Sequence, residues 1–124
     1  MSNLRTVPQS DWRSFFDRMS KALLGKWAEI EVASLDLGDQ IVAEWIPLIG
    51  ITYDSRDDLL DVALDRSNRL IRHPREILVE ESTAGLASVA VIDQDGARQV
   101  VRLKEPLMLP PAPASASPSK LSAT

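Results

Sequence analysis

A chain of 124 residues is enough for one domain and too short for two ordinary ones, and at this size roughly 65% of the unfolded surface can be buried without staples. The absence of cysteine excludes a disulfide framework, a thiolate zinc site and a cysteine nucleophile, and it fits a reducing compartment. A net charge of −4 supplies no global attraction to phosphate or anionic lipid, so nucleic acid is disfavoured as a partner. No apolar run approaches the roughly 20 residues that span a bilayer, and Met1–Asp11 lacks a basic-then-apolar leader, so no membrane contact and a cytoplasmic location are expected.

Residues 1–8 read as a flexible N-terminus. The first element begins near Ser10, which can cap a helix, with Asp11 at the positive end of its dipole. Trp12, Phe15, Phe16, Met19, Ala22 and Leu23 then recur at helical spacing, and Gly25 ends the helix in a left-handed conformation. From Lys26 the period drops to two. Trp27, Ala28, Ile30 and Val32 alternate imperfectly with Glu29 and Glu31 as a half-buried strand, and Leu37-Gly38-Asp39 turns the chain into a return strand over Gln40–Ile46. Pro47 marks a strand end or an edge, and Gly50 within Leu48–Tyr53 suggests a bulge or a close backbone approach.

Leu59–Leu64 alternates as a strand with Leu60, Val62 and Leu64 on one face; a helix is the rival reading. Arg66–Pro74 is too short and too charged for a full element, and Pro74 disfavours helix at His73. Ile77–Glu81, Leu86–Ile92 and Gln99–Leu103 are strands by composition, the last two joined through Asp95-Gly96. After Glu105 the chain turns Pro-, Ala- and Ser-rich, so residues 106–124 are expected to be a disordered tail behind a single domain at 9–105, with Leu107-Met108-Leu109 free to dock before it frays. The fold class is α+β: an N-terminal helix packed on a mainly antiparallel, strongly bent sheet, with closure into an SH3/Sm-like barrel left open.

Asp54, Asp57, Asp58, Asp61 and Asp65 suggest a calcium loop, but Arg56 and Leu59 stand where an oxygen ligand and a glycine are required. No Walker, Rossmann, zinc or hydrolase signature is present, so no cofactor and no metal is expected and no catalytic residue is assigned. Arg66, Arg69, Arg72, His73 and Arg75 form the one concentrated basic stretch. Guanidinium forks could clamp phosphate or carboxylate there, although pairing with the preceding aspartates is the simpler account. His73, the sole histidine, could act as an acid or base with Asp54 or Asp57, but it more commonly serves as a turn residue before proline.

Gly38-Asp39-Gln40, the run Glu44-Trp45-Ile46-Pro47-Leu48-Ile49-Gly50-Ile51-Thr52-Tyr53-Asp54, Asp57-Asp58, the later Ile71-Arg72-His73-Pro74-Arg75-Glu76-Ile77 and the Asp95-Gly96 hairpin resemble a bacterial domain-of-unknown-function family, DUF5335. The resemblance implies a small bacterial cytoplasmic protein and supplies no catalytic residues. The expected function is therefore a non-enzymatic binding or protein-interaction module, self-associating or engaging another protein through sheet edges or the helix. An RNA- or anion-binding barrel using Arg69, Arg72 and Arg75 is one alternative, and an enzyme built on His73 is another. Tyr53, Asp54, Arg69, Arg72, His73 and Arg75 are the candidate ligand-binding residues.

Overall fold

The computed structural model describes residues 3–34 and 38–107. The rest of the expected tail, Met108 and Leu109 included, and Leu37 of the expected turn lie outside them. The elements are β1 (Asn3–Thr6), α1 (Trp12–Leu23), β2 (Trp27–Ser34), β3 (Gly38–Asp54), β4 (Leu59–Leu64), β5 (Ser67–Arg72), β6 (Pro74–Ser82), β7 (Gly85–Asp93) and β8 (Arg98–Leu107). Every ladder is antiparallel, in the order β1-β6-β7-β8-β2-β3-β4-β5. This is the expected α+β architecture with a bent sheet. Among the described residues no helix is long and apolar enough to cross a membrane.

The stripe of α1 meets the sheet as the spacing demands, with Trp12, Phe15, Phe16, Met19 and Leu23 all buried. Across the sheet, Ile30, Val101, Val89 and Val79 lie in register on β2, β8, β7 and β6, and each is buried in the same core as the helix stripe. The start of the helix differs from expectation. Ser10 lies in a 3-10 turn at Gln9–Asp11, and the helix entry has no side-chain cap; Asp11 N–H donates to Pro8 O instead, at 2.9 Å. Residues 1–8, expected to be flexible, contain β1, which pairs with β6, and Val7, which is buried and donates its N–H to Ile77 O. A short exposed edge strand is held by its ladder, so it shows no burial period to read.

Strand β3 is the backbone of the architecture. Its first stretch pairs with β2, from Gly38↔Ser34 to Pro47↔Trp27, and its second pairs with β4, from Leu48↔Leu64 to Asp54↔Leu59. Pro47 therefore does not end a strand. It sits where β3 changes partner, beside a bend at Trp45 (φ 48°), and its carbonyl accepts the Asp65 N–H. The β4–β5 turn is two residues long and closes on Leu64↔Ser67, so Val62 directs its backbone groups at Arg69 on β5. Ile51, opposite Val62 on the other side, must then turn its own N–H and C=O away from β4. Both meet Ser20 of α1, whose Oγ accepts from Ile51 N–H at 2.8 Å and donates to Ile51 O at 2.6 Å. The close approach explains Gly50: a Cβ there would lie 3.2 Å from Ser20 Oγ, and the β3–β4 register slips between Leu48 and Gly50. Both readings of that glycine hold.

The basic stretch, expected to form no element, builds β5. Its only fully buried side chain is Ile71, so the burial pattern is too weak to announce a strand. The sheet then curls until β5 reaches β6 through His73 alone, yet it does not close into a barrel. β6 already uses both edges, on β1 and β7, and has none left for β5. At the far end, β8 passes the boundary read at 105. Pro106 falls in the irregular stretch between the Ser88↔Arg102 and Leu86↔Leu107 pairs, and Leu107 is buried.

Ser20→Ala leaves both Ile51 groups unpaired beneath the helix and should lower stability by about 1–3 kcal/mol, read from the urea midpoint at unchanged slope. Gly50→Ala should also destabilise, and by less in the Ser20→Ala background, because the nearest clashing atom is then absent.

Candidate functional site

Two groups of the expected site residues separate in space. Tyr53 ends β3 with its ring buried against Trp12, edge to face at 5.1 Å between centroids. Its hydroxyl donates to Asp58 Oδ1 at 2.8 Å, and Asp58 Oδ2 lies 3.2 Å from His73 Nδ1. The backbone supports the same link: His73 N–H donates to Asp58 O, and Gln94 N–H donates to His73 O. Asp58 and His73 both hold positive φ, 51° and 52°, so the turn before β4 and the one-residue link to β6 are each bent sharply to meet.

His73 thus finds an aspartate, but it is Asp58, not Asp54 or Asp57. Asp54 is occupied in its own turn, accepting the Arg56 N–H at 2.9 Å and the Asp57 N–H at 3.4 Å. Tyr53 also lines an open groove of about 370 Å³ between α1 and the end of β3, with Arg13, Asp17, Thr52 and Arg56. Neither Asp58 nor His73 lines this groove, so the Tyr–Asp–His chain is not gathered around it. Its evident work is to clasp β3, β4 and the β5–β6 link together.

The arginines do not converge. Arg69 faces inward and donates from Nε to Gln99 Oε1 at 2.9 Å, joining β5 to β8 across the concave side. Arg72 is exposed on the opposite face of β5, and Arg75 lies on β6 beside Asp93 and Gly96 of the β7–β8 hairpin. What the stretch does share is an edge. Because Leu64 and Ser67 form a hydrogen-bonded pair, alternation points the N–H and C=O of Asn68, Leu70 and Arg72 away from β4. Among the described residues no backbone or side-chain hydrogen bond reaches these outward groups.

The family model for a "Family of unknown function (DUF5335)" matches residues 3–112. The chain belongs to the DUF5335 family. An uncharacterized protein of Aquifex aeolicus (strain VF5) is 35% identical over 107 residues, covering 86% of this chain and 96% of that protein. No solved structure matches.

In this DUF5335 chain, sequence reasoning missed Asp58, which was one carboxylate among five, and it missed Asn68 and Leu70. The available signal was the length of the segment: a polar Asp65-Arg66 pair followed by six residues matches the preceding strand in length.

Tyr53 is the only tyrosine, so its ionisation can be followed directly by phenolate absorbance. Burial first, then the hydrogen bond and charge of Asp58, raise its pKa above the usual 10.0. The neutral phenol is the form the fold favours. Its contribution to stability is present below pH 10 and is lost as pH climbs through the raised value. Asp58→Asn should move the phenolate midpoint down toward 10, and Tyr53→Phe should remove this part of the alkaline destabilisation.

Proposed function

We propose that this protein is a non-enzymatic interaction module that takes an extended, acidic segment of a partner protein onto the open edge of β5. One observation carries the reading: Ser67–Arg72 forms an unbroken ladder with β4 on one side while its outward backbone groups stand unpaired on the other. Such an edge is a template for strand addition, in which main-chain hydrogen bonds give affinity and side chains give selectivity.

The other unpaired stretches are poorer templates. β1 is four residues long, and its Arg5 is held by Glu81 at 2.9 Å. The first half of β3 is interrupted by register shifts against β2, which bend an edge away from a straight partner. β5 is regular over its whole length. Its charge also selects the occupant. Arg66 and Arg72 are exposed and form no ion pair among the described residues. They would repel a second copy of the same strand and attract an acidic one. Leu70, 47% exposed between them, offers an apolar contact.

Amide hydrogen exchange tests this. The N–H groups of Asn68, Leu70 and Arg72 should exchange quickly in the protein alone. A ten-residue peptide with Glu and Val two positions apart in a threonine and glutamine background should slow those three selectively, with the effect fading as salt rises from 50 to 300 mM, roughly the range over which surface charges become screened. Leu70→Pro, which removes one outward donor at an edge position, should abolish the protection while leaving the β4–β5 ladder in place. No protection at millimolar peptide would overturn the reading. Loss of Arg66 and Arg72 side-chain signals on single-stranded RNA, without amide protection, would replace it with a nucleic-acid one.

A further inference from the structure

Resting on that edge reading, we infer that the partner segment carries, from its N- to its C-terminal side, an acidic residue followed two positions later by an apolar one. Only one face of β5 is available for reading. Ile71 is buried at 2% exposure, and Arg69 on the same side is held by Gln99, so the inward row is committed to the core. The outward row is Asn68, Leu70 and Arg72, in that order along β5. Asn68 is partly engaged, donating from Nδ2 to Asp61 Oδ1 at 2.8 Å, whereas Leu70 and Arg72 have no side-chain hydrogen-bond or ion-pair partner among the described residues.

Residues directly opposite across an antiparallel pair have Cβ atoms roughly 4.5–5.5 Å apart, so each outward side chain of β5 selects one side chain of the incoming strand. Every ladder of this sheet is antiparallel. An antiparallel arrival meets Arg72 first, then Leu70, then Asn68. The complementary row is therefore acidic, apolar and polar, at alternate positions. Spacing matters as much as composition, because a one-residue slip sends a side chain to the opposite face of the sheet. A segment with its acid and apolar residues adjacent cannot satisfy Arg72 and Leu70 together.

Three ten-residue peptides of one composition, in a threonine and glutamine background, decide the matter by titration with protection at Leu70 as the readout. In the first, Glu precedes Val by two positions; in the second, Val precedes Glu by two; in the third they are adjacent. The first should bind up to about fivefold more tightly than the other two, which is the scale of losing one cross-strand pair. Arg72→Glu should weaken the first peptide and strengthen its Glu→Lys counterpart, and Arg72→Gln should remove the preference without reversing it. Equal binding of all three peptides with intact protection would overturn the spacing rule and leave the edge reading standing. Tighter binding of the second would overturn the antiparallel arrival. Absence of protection with any peptide would remove both readings.

Discussion

The two hydrogen bonds between Ser20 and Ile51 hold the architecture at its weakest point. A strand that leaves one partner for another exposes backbone groups on the side it has abandoned, and β3 does this beside Pro47. Left bare beneath a helix, those groups would cost more than a typical hydrogen bond contributes. A serine on α1 satisfies both groups of Ile51, and the link between helix and β2 satisfies both groups of Leu48, which bonds to Gly25 N–H and Lys26 O at 2.8 Å each. The helix therefore does more than cover the sheet with apolar side chains. It serves as the missing neighbour of the second half of β3.

Once β3 is bent and sealed in this way, β4 and β5 are carried over the concave side, and the rest of the layout follows. Arg69 reaches Gln99, the Tyr53–Asp58–His73 clasp closes, and β5 ends next to β6 without an edge to join. The basic stretch acquires its meaning from this position. Arginines on an outermost strand discourage self-pairing, and under the proposed function the same charges would favour an acidic partner strand. Protection and recognition would then be one arrangement of charge.

The helix was legible because five large apolar residues repeat with one period and nothing competes with it. The central strands were legible for the same reason, and Leu60, Val62 and Leu64 are buried in alternation as the period-two reading of β4 requires. Gly50 was readable as a place of close approach, though not what approaches it. β1 and β5 were not readable. Each is held by backbone pairing while burying little of its own, and pairing leaves no mark on hydropathy. Pro47 was half readable: it ends no strand, but the stretch of β3 that it closes is laddered on one side only, so the edge reading fits a proline whose missing N–H is not needed there. Asp58 was invisible because its partners are brought to it by two left-handed turns that no spacing rule encodes.

The single-residue link at His73 has a mechanical effect on the strand before it. A two-residue turn fixes β5 at its start, and at its finish there is no slack, since Pro74 is buried and paired with Asp93. β5 cannot creep along β4 by even one position without dragging β6 with it. In the proposed strand addition an incoming chain would meet a ruler whose graduations do not move, and the entropy lost in aligning the two would fall on the newcomer alone.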